Sequence, residues 1–336
     1  MSLIALLKGR GPSGFGYGSS AETVAAGLNL KGKRYLITGC NSGLGYETMR
    51  VLASRGAAVI GTARSLETAA AACASVKGDT ATAACELAEP SSVRAFIAAV
   101  KKTGPLDAII CNAGIMALPR LTLIHGYEAQ FFTNHIGHFM LVTGLLDGLA
   151  KNGRVVMVSS SAHMAAPRAG IEFDNLDGRK GYGAWKAYGQ SKLANALFAL
   201  ELARRLKPGA RVANSLHPGV IKTNLGRHMW SGLQTIFAAM GPLFLKTIAQ
   251  GAATHVYVAA HPDTAAVSGE YFADCNIARP SARARDPELA RRLWEESERI
   301  VRRLQRGDNG ARRTARPSRT TTDITASPCS PRIARS

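Results

Sequence analysis

Apolar residues in this chain fall into two kinds of run. Short uninterrupted ones, around Tyr35-Leu36-Ile37, Ala57 to Ala63, Leu106 to Cys111, Arg154 to Val158 and Arg211 to Leu216, read as strands buried on both faces. Between them apolar positions recur at helical spacing: from about Tyr46 to Arg55, through the largely apolar Phe131 to Phe139 stretch, and from Pro287 to Leu304, where Leu289, Leu293, Trp294, Ile300 and Val301 share a face. Alternating strands and helices predict an α/β fold, a doubly wound parallel sheet flanked by helices. The pattern divides the chain into an N-terminal extension (1–29), one domain (30–305) and a C-terminal tail (306–336).

The junctions between runs carry the chemistry. The first strand enters Thr38-Gly39-Cys40-Asn41-Ser42-Gly43-Leu44-Gly45, and a helix follows at once. Such a junction presents the unpaired N–H groups of a helix N-terminus to a pyrophosphate. Gly39 turns the chain, Gly43 lets backbone approach the phosphates, and Gly45 lets the helix close on the strand. The second strand ends at Arg64, where a site preferring NAD usually has a carboxylate. An arginine there can pair with a 2′-phosphate, so NADP(H) is the expected cofactor and NAD(H) the alternative; a solvated arginine after a strand is the lesser reading.

Tyr188 and Lys192 stand at i and i+4, one above the other on a helical face, where the ammonium can favour the phenolate. Tyr and Lys at this spacing are common on helix surfaces, so the pair gains weight only from its company. A strand leads into Asn112-Ala113-Gly114, another into Ser159-Ser160-Ser161, and a third into His217-Pro218-Gly219, all at the strand ends where α/β sheets bind ligands. Asn134 places an amide within an apolar helix.

In order, from Leu30 to Val301, these residues resemble the classical short-chain dehydrogenase/reductase family. The narrower patterns Ser191-Lys192-Leu193-Ala194-Asn195, Asn134 to Phe139 and Ser159 to His163 are similar to the branch of retinol dehydrogenases, the WW-domain oxidoreductase and protochlorophyllide reductases. The resemblance implies a single-domain Rossmann fold and a catalytic tetrad of Asn134, Ser160, Tyr188 and Lys192. Ser160 is chosen as the fourth position of the motif matched by Met157-Val158-Ser159-Ser160, with Ser159 and Ser161 as alternatives. Tyr188 would be the acid/base and Lys192 would lower its pKa and hold the nicotinamide ribose. Ser160 would bond the substrate oxygen, and Asn134 would help hold a water joining Lys192 to solvent. The implied cofactor surface comprises Gly39, Asn41, Ser42, Gly43, Leu44, Gly45, Arg64, Glu86, Leu87, Asn112, Ala113, Gly114, Tyr188, Lys192, Pro218, Gly219, Val220 and Thr223. Two departures from the family pattern are Met157, for a frequent asparagine, and Glu86, for an aspartate facing the adenine.

The expected activity is hydride transfer between nicotinamide and an apolar carbonyl or alcohol; a dinucleotide-binding redox sensor is the alternative. The 224–250 stretch, with Met229, Trp230, Phe237, Met240, Leu243 and Phe244, reads either as core helices or as a cover over an apolar pocket. Nucleotide-sugar enzymes usually have two residues between the first glycines, unlike Gly39 and Gly43.

Composition adds boundaries. At 336 residues and 46% hydrophobic, the chain can bury a substantial core. The net charge of +19 is swollen by Arg306, Arg312, Arg313, Arg316, Arg319, Arg332 and Arg335, in a tail poor in apolar residues and expected to be disordered. Contact of that tail with nucleic acid or membrane is permitted by charge but not expected. Cys40, Cys73, Cys85, Cys111, Cys275 and Cys329 lack paired spacing and read as reduced thiols in a cytoplasmic protein. The histidines lack metal-ligand spacing, so no metal is expected. Partners are a small-molecule substrate and, as an option, further copies of the chain.

Overall fold

A computed structural model describes residues 8–207, 209–221, 245–314 and 325–326. In chain order α1 (Ala21–Val24) is followed by β1 (Arg34–Thr38), α2 (Gly43–Ser54), β2 (Ala58–Ala63), α3 (Leu66–Ala74), β3 (Thr80–Ala84), α4 (Pro90–Val100) and β4 (Leu106–Cys111). A small hairpin, β5 (Leu123–Ile124) and β6 (Tyr127–Glu128), leads into α5 (Ala129–Phe131), a π-helical turn at Phe132–Ile136, α6 (Gly137–Leu145) and β7 (Leu149–Val158). Then come α7 (Ala184–Arg205), β8 (Val212–His217), α8 (Ile248–Ala260), β9 (Tyr271–Ala273), β10 (Asn276–Ile277), α9 (Pro287–Thr314) and β11 (Thr325–Ala326).

The main sheet has the order β10-β9-β8-β7-β4-β1-β2-β3-β11. All its pairs are parallel except the two edges, where β10 and β11 run antiparallel to their neighbours. After β1 the chain builds outward through β2 and β3, then returns to lay β4 on the other side of β1. That reversal opens a crevice at the carboxyl ends of β1 and β4, the place where doubly wound sheets bind ligands.

Strand residues alternate between two apolar layers, because successive side chains point to opposite faces. Leu36, Ile109 and Val155 enter one core cluster, while Tyr35, Ile37, Ile110 and Val156 enter the other. The first layer is closed by α4, α6, α7 and α9. Phe139, Phe198 and Trp294 meet there, with ring centroids 5.0 Å apart for Phe139–Trp294 and 5.5 Å for Phe198–Trp294. The Arg205 guanidinium lies 4.4 Å from the centroid of the Trp294 ring.

The second layer is closed by α2, α8 and the segment before β1. Ala21, Val24, Ala25 and Leu30 are buried in it, so apolar residues ahead of the expected domain start share its core. Phe15 meets Tyr257 edge-on at 5.7 Å. Ser13 N–H donates to Asn276 Oδ1 at 3.0 Å and Asn276 Nδ2 donates to the Phe15 carbonyl at 3.1 Å, tying this segment to the β9–β10 turn.

At the other end the structure differs from the expected disordered tail. Helix α9 continues past residue 305 to Thr314, since each residue added to a formed helix gains a backbone bond. Thr325 and Ala326 pair with Thr82 and Ala81 of β3. Among the described residues no helix is long and apolar enough to cross a membrane.

Trp294 is 6% exposed. Trp294→Ala is expected to cost about 3–5 kcal/mol through the cavity it leaves, and to loosen α9 from α7. Urea unfolding followed by circular dichroism checks the magnitude.

Candidate active site

Gly39 (φ +71°) and Gly43 (φ +58°) occupy the left-handed region that favours glycine, and a Cβ on Gly45 would lie 2.1 Å from the Gly39 carbonyl. The loop therefore folds back on itself as its glycines predict. Ser42 begins α2 but makes no side-chain capping bond, whereas Ser20, Ser65, Glu89 and Thr247 all cap their helices. No acidic residue stands in the first turn of α2, and the space around the Gly43 Cβ position is open. An uncapped, acid-free helix N-terminus at the carboxyl end of β1 suits an anion such as a pyrophosphate.

Asn112 binds this loop to the end of β4: its Nδ2 donates to the Thr38 carbonyl at 2.9 Å and the Gly39 carbonyl at 3.2 Å. Gly114 brings the same turn against Asn134 and Lys192, because a Cβ there would sit 3.0 Å from Asn134 Oδ1 and 3.5 Å from Lys192 Nζ. Leu87 is buried, and its carbonyl is what a side chain on Gly137 would strike. Glu86 Oε1 accepts from Ala88 N–H at 3.0 Å, so its carboxylate caps the turn after β3. Arg64 is exposed at the end of β2, and no hydrogen bond or ion pair joins it to another described residue.

Helix α7 carries Tyr188 and Lys192 into the same region. Lys192 is 4% exposed, and its Nζ donates to the Val158 carbonyl at 3.0 Å. Burial pulls its pKa down to about 8. Its Nζ is 5.7 Å from the Tyr188 ring centroid. Burial pushes Tyr188 up to about 12, and the Ser160 hydroxyl hydrogen-bonded to it acts in the opposite direction. The lowering expected from Lys192 is therefore not what the structure shows: burial is the largest influence on the phenol, and its pKa is raised.

The three serines after β7 separate clearly. Ser159 is buried and donates to the Lys192 carbonyl at 2.7 Å, so its hydroxyl is committed to α7. Ser161 uses its N–H to reach His217 Nδ1 at 3.2 Å. Ser160 is the one whose hydroxyl meets Tyr188.

Asn134 lies in the π-helical turn, fully buried. Its Oδ1 accepts from Ile115 N–H at 2.8 Å, and its Nδ2 donates to the Ile115 carbonyl at 2.9 Å and Ser191 Oγ at 3.0 Å. Through these bonds Asn134 joins the β4 turn to α7.

One residue escaped the sequence reading. His138 Nδ1 bonds the Asn134 carbonyl at 2.9 Å, and its Nε2 bonds Thr38 Oγ1 at 2.9 Å. The usable signal was its position four residues after Asn134, on the same helical face.

Pro218 is buried and Gly219 (φ +94°) has the Lys246 side chain where a Cβ would stand, 2.6 Å from Lys246 Cδ. Lys246 is itself buried, with Nζ 2.5 Å from Asp274 Oδ1 and 4.8 Å from the Tyr17 ring centroid. Val220 is exposed, while Thr223 and residues 224–244 lie outside the described residues. The described cysteines, Cys40, Cys73, Cys85, Cys111 and Cys275, are free and buried. Among the described residues no cluster of histidine, cysteine, aspartate or glutamate could hold a metal.

Sheet order, glycine loop and switch-point crevice define a dinucleotide-binding α/β protein. Within that class the short chain dehydrogenase model matches residues 33–234, and the chain belongs to this family, in its retinol dehydrogenase-like branch. It is 41% identical over 320 residues to Short-chain dehydrogenase TIC 32 A, chloroplastic, of Brassica napus, covering 90% of this chain and 100% of that protein. It is 40% identical over 296 residues to Retinol dehydrogenase 14 of Homo sapiens, covering 81% and 87%. A solved short chain dehydrogenase from Burkholderia cenocepacia in complex with NADP matches with TM-score 0.59 at 25% identity, covering 73% of this chain and 97% of that one.

The buried lysine yields a prediction about stability. A pKa lowered from 10.5 to about 8 means the folded state binds fewer protons than the unfolded one between those values, so its destabilising effect is fully present below pH 8. Lys192→Met is expected to stabilise the protein at pH 7 by roughly 3 kcal/mol, with the gain shrinking as pH rises through 8 to 10. Val158 O keeps a donor in Asn195 Nδ2, 3.1 Å away. Thermal unfolding of both proteins across this pH range tests it.

Proposed function

We propose that this protein is an NADP(H)-preferring oxidoreductase that interconverts an apolar carbonyl compound and its alcohol. The observation that carries the reading is the meeting of the Tyr188 phenol with the Ser160 hydroxyl, one helical turn from the buried Lys192 ammonium, beside the switch-point crevice. Family membership supports oxidoreductase chemistry on a small molecule.

When bound, the nicotinamide supplies or accepts the hydride. Gly39, Asn41, Ser42, Gly43, Leu44 and Gly45, with the start of α2, would hold its pyrophosphate; Glu86, Leu87, Asn112, Ala113 and Gly114 would line the way to Lys192, and Pro218, Gly219, Val220 and Thr223 the far side. Tyr188 gives the proton on its Oη to the carbonyl oxygen in reduction and takes it back in oxidation. Ser160 would hold the reacting oxygen through its hydroxyl, and the Lys192 ammonium would stabilise the phenolate left by proton transfer. Asn134 keeps the Ile115 backbone and Ser191 in place around them.

Three exposed apolar side chains on the same segments support an apolar substrate: Met164 at 61%, Trp185 at 51% and Val220 at 54% exposure. Trp185 meets the Tyr188 ring edge-on at 6.1 Å. For the cofactor, the free guanidinium of Arg64 suits a 2′-phosphate, and the Burkholderia relative carries NADP. The free cysteines suit a reducing compartment such as the cytoplasm.

The test is oxidation of NADPH and NADH against a panel of apolar aldehydes, ketones and quinones. Tyr188→Phe should bind NADPH as the parent does and lose at least a hundredfold in turnover, the upper part of the range for general acid catalysis. Dinucleotide binding without turnover of any panel member would favour the sensor reading instead. Arg64→Ala should weaken NADPH about tenfold or more while leaving NADH nearly unchanged; equal losses, measured by protein-to-nicotinamide fluorescence transfer, would refute the assignment.

A further inference from the structure

We propose that the segment from Ala278 to Arg285 is a clamp that positions Ser160, with Arg283 and His163 acting through the backbone of the 160–167 loop. The catalytic half of this inference rests on the role given to Ser160 above; the clamp itself rests on geometry alone.

Ser160 opens a 3₁₀ turn over Ser161–Ala165, and its hydroxyl also accepts from Ala162 N–H at 3.2 Å. Its carbonyl is bonded by His163 twice, from the backbone N–H at 3.0 Å and from Nδ1 at 2.6 Å. A carbonyl can only accept, so Nδ1 carries the proton and Nε2 is left as an acceptor. Nε2 is met by the Ser281 N–H at 3.1 Å. The imidazole is therefore a bridge of fixed polarity between the loop and residue 281. It is 2% exposed and packs 5.3 Å from the Tyr271 ring, and its burial keeps it below the usual histidine range, hence neutral.

Arg283 adds the second hold. Its Nη2 donates to the Met164 carbonyl at 3.0 Å, and its Nη1 donates to the Ala166 carbonyl at 2.9 Å and also to that of Pro167. Carbonyls at the end of a helical turn lack partners in the turn itself, and one planar guanidinium supplies several donors. On its opposite side the loop rests on α7 at Gly189, where a Cβ would lie 2.6 Å from the Ala162 carbonyl and 2.8 Å from the Ala166 nitrogen. The loop bearing Ser160 is thus held between the helix that carries Tyr188 and a segment more than a hundred residues later in the chain. No hydrogen bond described for Arg283 reaches Tyr188, Lys192 or the glycine loop, so any effect on the reaction must pass through the loop.

The experiment is a double-mutant cycle of Arg283→Met and Ser160→Ala in the full chain. It reads kcat and KM on a carbonyl of the panel, the Kd for NADPH, and hydrogen exchange of the amides of residues 161–166. Arg283→Met is expected to speed exchange in that loop, to lower kcat about tenfold, to leave the Kd for NADPH within twofold, and to cause no further loss when Ser160 is already alanine. Arg283→Lys, which keeps the charge without the fork, should recover only part of kcat and serves where the methionine variant fails to fold. Loop exchange at the parental rate in both variants overturns the clamp. Faster exchange with losses that add to those of Ser160→Ala overturns the action through Ser160. Parental turnover in Ser160→Ala would instead overturn the role of Ser160, and the catalytic half of the inference with it, while exchange still decides the clamp.

Discussion

The hydroxyl of Thr38 is the point on which this site hangs. The Asn134 carbonyl accepts from His138 Nδ1, which leaves Nε2 of that ring as an acceptor and makes Thr38 the donor to it. The same oxygen then accepts the N–H groups of Asn112 and Ala113, each at 3.0 Å. One buried oxygen thereby fixes the end of β1, the turn after β4 and the π-helical turn ahead of α6. All three flank the crevice created by the reversal of strand order, so the place where a dinucleotide enters and the place where Lys192 lies are held to one another. Burial of His138, whose pKa is pulled down to about 4, keeps this chain of bonds neutral and directional through the physiological range.

Much of this was legible in the sequence because short apolar runs buried on both faces can be little else than parallel strands. Leu106 to Cys111 was read with the observed bounds, and Arg211 to Leu216 within one residue of them. The glycine loop was legible because positive φ at Gly39 and Gly43 demands the residue that is there. What was hidden was tertiary. Thr80 to Ala84 is built of small residues with little strand signal, and its place comes from pairing with β2. The burial of Ala21 and Val24 depends on α8 lying over them. What Ser159, Ser160 and Ser161 each touch differs, and spacing cannot tell it.

Electrostatics at α7 reverse a simple reading of Tyr and Lys at i and i+4. On an exposed helix the cation would favour the phenolate. Here burial drives each toward its neutral form, the half-buried phenol upward and the buried ammonium downward. The two shifts have one cause, and they leave a proton donor beside a lysine whose charge is costly to keep. Around them the fold places side chains with bonds of their own, Ser159 to the Lys192 carbonyl, Asn134 to Ser191 and Asn195 to the Val158 carbonyl.

The bond between Ser13 and Asn276 joins positions 263 residues apart. Ala21 and Val24 share their core layer with Met49 and Leu52 of α2, but the greater part of what covers this segment, α8 and the β9–β10 turn, comes more than two hundred residues later in the chain. The second core layer therefore closes only when nearly the whole chain is available.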